Sequence, residues 1–179
     1  MGPMFANKSS RMIEYMDKHT ISKKKCLIIR HMKDIRTNEG ILQAHNGRTF
    51  NKCNIIKSDN LNNNFNSIKE NKIQIVAIDE GQFFDSNDFK EFIDKCNNEQ
   101  KIEYIYISAL NGDFKREPFA TVSALIPYCD EIIKLCAVCD ICGKKAPFSQ
   151  RKIENVNDQI LIGGKESYFP VCRNCYKCN

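Results

Sequence analysis

Two C-x-x-C knuckles, Cys139 with Cys142 and Cys172 with Cys175, stand 29 residues apart near the end of a 179-residue chain. No other feature restricts the fold so strongly. Such knuckles bring four thiolates to one tetrahedral Zn²⁺. Four thiolates leave no open coordination position, so the metal would be structural. Cys136 and Cys178 extend each knuckle by another x-x-Cys step, so spacing alone leaves the register open. An iron–sulfur cluster is compatible with the count, and unligated buried cysteines are the bland alternative.

Ten cysteines would also suit a secreted disulfide scaffold. Against that, residues 1–20 carry Lys8, Arg11, Glu14, Asp17, Lys18 and His19, with no apolar run of signal-peptide length. The longest mainly apolar stretches, such as Ile102 to Leu110, are strand-sized and too short to span a membrane. The expected setting is a reducing, cytoplasmic one without a membrane partner, where clustered cysteines bind metal.

Ahead of the knuckles the chain alternates strand and helix signals. Residues 8–19 have Met12, Ile13 and Met16 at helical spacing. Cys26 to Ile29 reads as a short buried strand, and residues 37–52 as a loop. The Asn-rich stretch from Asn60 to Asn71 reads as a surface loop or helix start. Ile73 to Ile78 is a second strand, and Phe89, Phe92, Ile93 and Cys96 mark an amphipathic helix. Ile102 to Leu110 is a third strand and Ile132 to Leu135 a fourth. This alternation predicts an α/β domain with a mostly parallel sheet over residues 1–135, and a small metal-binding lobe over 136–179.

Two motifs carry chemistry. The opening residues Gly2, Pro3, Met4, Phe5, Ala6, Asn7, Lys8 and Ser9 fit the phosphate-loop pattern G-x-x-x-x-G-K-[ST], except that Asn7 replaces the second glycine. Backbone amides of such a loop form an anion nest, the lysine reaches the transferred phosphate, and the hydroxyl binds Mg²⁺. Asn tolerates the left-handed backbone better than most residues. A phosphate loop normally follows a buried strand, and only Met1 precedes Gly2. The first strand is therefore expected to be missing, leaving an apolar slot and an unanchored loop. The second motif, Asp79-Glu80, follows an apolar strand, where an Asp holds Mg²⁺ and a Glu can accept a hydroxyl proton. The bland readings are a Ser-containing helix start and solvated carboxylates.

Taken in order, these pieces resemble the thymidine kinases of the cellular cytosolic and poxvirus type. That family's G-P-M-F-S-G-K-S-T is similar to Gly2 through Ser10, and its K-Y-x-x-D-x-R to Arg30 through Arg36, where Asp34 and Arg36 are kept. D-E-G-Q-F-F stands intact from Asp79 to Phe84. A-L-D-G-T-F-Q-R-K-P-F resembles Ala109 through Phe119, with Glu117 in place of a lysine. K-L-T-A-V-C-x-x-C resembles Lys134 through Cys142. The closing I-G-G-x-x-x-Y-x-x-V-C-R-x-C-Y resembles Ile162 through Tyr176.

The resemblance implies ATP-dependent phosphorylation of the thymidine 5′-hydroxyl, with Glu80 as general base. It implies that Gly2 through Ser9 and Asp79 serve ATP and Mg²⁺. Asp34 would approach the sugar and phosphate end. Met4, Phe83, Leu110, Phe114 and Phe119 would wall the base pocket. Gln159, Ile160, Leu161, Ile162 and Gly163, with Tyr168, would close over the thymine. It implies structural zinc on Cys139, Cys142, Cys172 and Cys175, and a homo-oligomer, dimeric or tetrameric. Two other readings stand beside it. One is a degenerate relative that keeps the fold without turnover, suggested by Asn7 and the missing strand. The other is a zinc-ribbon nucleic-acid binder, suggested by the net charge of +5. The dispersed basic residues speak against the latter.

Overall fold

The computed structural model describes residues 1–34, 40–100, 102–152 and 158–177. Arg36 and Cys178, both named above, lie outside the described residues. Four parallel strands make the central sheet in the order β4-β1-β5-β6. They are β1 (Cys26–His31), β4 (Asn54–Ser58), β5 (Ile75–Asp79) and β6 (Tyr104–Ile107). In register, Ile28 stands against Ile55 on one side and Ala77 on the other. Every residue of β1 and β5 is buried, as expected of central parallel strands covered on both faces.

One face packs Ile29, Val76 and Ile78 against Leu61, Phe65, Ile68, Phe89, Phe92 and Ile93. Most of these come from α2 (Phe65–Glu70) and α3 (Ser86–Lys95), joined by Leu125 of α4 (Ala120–Leu125). Asp85 caps α3 by accepting from the Asn87 and Asp88 amides. The other face packs Ile28, Ile75 and Ala77 against Met12, Ile13 and Met16 of α1 (Lys8–Ile21). The helical spacing at residues 8–19 thus marks a true buried stripe. Among the described residues, no helix is long and apolar enough to cross a membrane.

Several expectations need correction. Residues 37–52 are not simply a loop, because they contain the hairpin of β2 (Leu42–Gln43) and β3 (Thr49–Phe50). Leu42, Ala44 and Phe50 are buried against α1, a pattern too short for sequence periodicity to reveal. The fourth strand is Asn54–Ser58, at the sheet edge, where only Ile55 and Ser58 are buried. Ile132 to Leu135 forms no strand. Instead Met1 bonds to it at two points: its amine donates to the Ile133 carbonyl (2.8 Å) and its carbonyl accepts from the Leu135 amide (2.8 Å). Two bonds to one residue do not make a ladder. The phosphate loop is nevertheless anchored, since Gly2 forms a parallel bridge with Leu110 and its amide donates to the Ala109 carbonyl (3.2 Å).

The C-terminal lobe consists of two antiparallel pairs, β7 (Ala137–Val138) with β8 (Lys145–Ala146), and β9 (Phe148–Arg151) with β10 (Tyr168–Val171). Its core of Ala137, Cys139, Ala146, Val171 and Cys172 also takes in Ala6, with Phe5 against it. The underside of the phosphate loop is therefore part of the lobe's own packing.

Candidate active site

The loop ahead of α1 owes its shape to two residues with left-handed backbone, Phe5 (φ 62°) and Asn7 (φ 57°). Asn7 adopts the conformation a glycine would give most easily. From the same turn, Lys8 donates Nζ to the Pro3 carbonyl (2.8 Å). Ser9 donates Oγ to the Asp79 carboxylate, 3.3 and 3.2 Å from its two oxygens. Asp79 is fully buried at the end of β5. The chain thus joins its two sequence motifs, 70 residues apart, into a hydroxyl–carboxylate pair suited to a divalent cation.

The next residue, Glu80, also has left-handed backbone (φ 56°, ψ 44°). A non-glycine residue held there is a local strain that its surroundings must sustain. Here the Gly81 amide donates to the Ser108 carbonyl of the strand beside it (2.8 Å). Gly81 leaves the room this needs, because a Cβ there would stand 3.0 Å from Ile107. Gln82, which sequence reasoning passed over, then orients the carboxylate. Its Oε1 accepts from the Leu110 amide (3.0 Å), which turns its Nε2 toward Glu80 Oε2 (2.6 Å). One carboxylate oxygen is thereby engaged by an amide that is itself locked in place.

Glu80 opens onto a cavity of about 560 Å³, a size that suits a small organic ligand. Met4, Asp34, Phe83, Leu110, Phe114 and Phe119 line it, as do Gln159, Ile160, Leu161, Ile162, Gly163 and Tyr168. All twelve residues expected to serve the nucleoside therefore surround one space. Glu117, the replacement for a lysine, is exposed outside it. Over the phosphate loop lies a smaller hollow lined by Phe5 through Ser10, Ala44, His45 and Glu80. Glu80, Ala44 and His45 border both spaces.

The cover over the large cavity is built around Tyr168. Its hydroxyl donates to the Leu161 carbonyl (2.9 Å) and accepts from the Leu161 amide (3.2 Å). Arg151, buried at 4% exposure, was not anticipated. It donates to Tyr168 Oη (2.9 Å) and to the carbonyls of Asp158 (2.9 Å) and Gln159 (3.4 Å). Its guanidinium also lies 3.8 Å over the Phe114 ring. This one cation thus ties the cover to an aromatic wall of the cavity. Tyr176 holds the same wall from behind, donating to the Phe114 carbonyl (2.7 Å). Gly163 cannot carry a side chain, because a Cβ would collide with Ser167.

Asp34 lines the cavity, but its carboxylate is claimed by an unforeseen partner. Arg30 donates Nε (3.2 Å) and an Nη (2.8 Å) to Asp34 Oδ2, and its other Nη to the Ile41 carbonyl (2.8 Å). Both side chains are only 2% exposed. The arginine occupies the place of the family motif's lysine, which offered no hint of a buried pair.

The sulfur atoms of Cys139, Cys142, Cys172 and Cys175 all lie within 4.8 Å of one another. Among the described residues these four cysteines form the one such cluster. At Cys139 burial opposes ionisation, yet amides of Cys172, Cys142 and Ile141 outweigh it and bring the thiol down to about 6. Cys175, which shares hydrogen bonds with Cys142 and Cys172, is pushed up to about 12. Four thiols so close cannot all ionise unless a cation compensates them. A soft tetrahedral ion such as Zn²⁺ fits the donor set.

Comparison with known proteins agrees with this picture. A sequence model described as "Thymidine kinase" matches residues 1–176. A protein named thymidine kinase from Amsacta moorei entomopoxvirus is 40% identical over 178 residues, covering 98% of this chain and 94% of its own. The one from raccoon poxvirus is 38% identical over 176 residues, covering 98% and 93%. That from rabbit fibroma virus (strain Kasza) is 36% identical over 176 residues, with the same coverage.

Proposed function

The chain belongs to the thymidine kinase family, and we propose that it moves the γ-phosphoryl group of ATP to the thymidine 5′-hydroxyl with Glu80 as general base. The observation that carries this reading is that Glu80 borders both the nucleoside-sized cavity and the hollow over the phosphate loop. A base for in-line transfer must stand at that junction.

Thymidine enters the large cavity, its base between Phe83, Phe114 and Phe119 and beneath residues 159–163. Backbone groups of that cover read the pyrimidine edge. Gln82 holds one oxygen of Glu80, and the other accepts the 5′-hydroxyl proton as the nucleophile advances. The loop amides and Lys8 cradle the phosphates. Ser9 and Asp79 would hold Mg²⁺, which neutralises phosphate charge. Cys139, Cys142, Cys172 and Cys175 would hold a structural Zn²⁺. Residues 136–179 then act as the lobe that carries the cover, and residues 1–135 as the phosphate-transfer domain. The protein works in the cytosol as a homo-oligomer. The left-handed backbone of Asn7 supports an active loop over a degenerate one.

The protein incubated with thymidine, ATP and Mg²⁺ should release thymidine monophosphate, and Glu80→Gln should lower the rate at least about 10²-fold. No product at high enzyme concentration would remove the reading.

A further inference from the structure

His45 stands where phosphoryl transfer would occur, and nothing in the mechanism above uses it. It sits in the tight turn of the β2–β3 hairpin, closed by Ala44 N to Arg48 O (2.8 Å) and Gly47 N to Ala44 O (2.9 Å). The hairpin is clamped to α1, the helix that the phosphate loop begins. Leu42, Ala44 and Phe50 pack on Met12, Ile13 and Met16. Arg48 pairs with Asp17 (2.8 Å) and Glu14 (3.7 Å), and Lys52 with Asp17 (2.7 Å). Loop and turn therefore hang from one helix and hold a set relation. The imidazole is exposed, 5.0 Å from the Phe5 ring between centroids. It borders the phosphate hollow and the nucleoside cavity, as Glu80 does. It also lies near Glu166, which lines the same cavity. Of the chain's other two histidines, His19 bonds Tyr106 (2.8 Å), and His31 packs on Phe83 and Phe84.

Resting on the thymidine kinase reading, we propose that His45 is a further catalytic residue, donating an imidazole N–H to an oxygen of the phosphoryl group in transit. The bond from phosphorus to the β,γ-bridging oxygen breaks and the bond to the thymidine 5′-oxygen forms. The 5′-hydroxyl proton goes to Glu80. His45 neither gains nor loses a proton. The charge of such a transition state lies on the equatorial phosphoryl oxygens, and a donor held in place before the reaction stabilises that charge without reorganising. The clamp on α1 supplies that fixity.

The test compares His45→Phe, which keeps a ring against Phe5 without a donor, with His45→Gln, which keeps a donor. His45→Phe should lower kcat about 10²-fold with thymidine KM within about twofold, and His45→Gln should recover part of the loss. A His45→Phe variant with parental kcat would overturn the proposal. So would an effect confined to thymidine KM, which would make His45 only a latch for Glu166 in the lining of the same cavity. A second measurement does not depend on turnover. Calorimetric titration with MgADP, aluminium fluoride and thymidine should show the ternary mimic held by the parent and bound at least tenfold more weakly by His45→Phe. Equal binding would overturn the proposal even if the parent turned over no thymidine, a failure that would count separately against the kinase reading.

Discussion

Replacing Asp34 by alanine tests the buried pair and the nucleoside cavity together. The substitution leaves the Arg30 guanidinium, 2% exposed, without the carboxylate that takes two of its donors. The Ile41 carbonyl remains as a partner, but it carries no charge. Breaking one side of such a pair costs about 3–5 kcal/mol, because a buried charge is left uncompensated. Against a total stability of about 5–15 kcal/mol, that is a large fraction. For a chain of this size it corresponds to a fall of roughly 6–20 °C in Tm. Urea titration should show the midpoint falling with the slope unchanged. Converting the pair to Arg30→Met with Asp34→Leu should recover most of the loss, since an apolar replacement removes both desolvation costs. The reasoning is refuted if Asp34→Ala unfolds within about 1 kcal/mol of the parent. It is refuted equally if the double variant is no more stable than the single one. A normal midpoint with a raised thymidine KM would make Asp34 a ligand-binding group first.

The remaining predictions concern the base, the metal and the hairpin. Gln82→Leu removes the amide from Glu80 Oε2 and should lower kcat by about 10²-fold, the cost of a small misplacement of a reacting group, while thymidine affinity by calorimetry stays near parental. Elemental analysis should find one zinc per chain. Stripping it should weaken ATP binding as well as thymidine binding, because Phe5 and Ala6 of the phosphate loop pack on the core that contains Cys139 and Cys172; loss of thymidine binding alone would contradict this coupling. Lys52 and then Arg48 hold the Asp17 carboxyl below its ordinary value of 3.8. Its folded-state value is depressed, so its contribution is complete above about 4 and disappears as the pH falls through the lower folded value. Asp17→Asn should therefore flatten the acid limb of stability, followed by thermal melts between pH 2 and 6.

Sequence alone determined the elements whose signals are local. The spacing of Met12, Ile13 and Met16 specified the buried face of α1. The apolar run before Asp79-Glu80 specified a covered strand with carboxylates at its end. The paired knuckles marked the four cysteines whose sulfur atoms gather within 4.8 Å of one another. Each of these patterns repeats with the period of its own helix, strand or turn, so a few neighbouring residues suffice. Tertiary structure decided what depends on distant partners. Asn54–Ser58 is a strand because β1 lies beside it, whereas Ile132 to Leu135, bonded to Met1 at two points, is none. Gln82 finds the Leu110 amide, and Arg151 ties the cover to Phe114. No period relates such residues to one another. Their roles follow from desolvation, which obliges a buried charge or amide to bond with whatever the fold brings within reach.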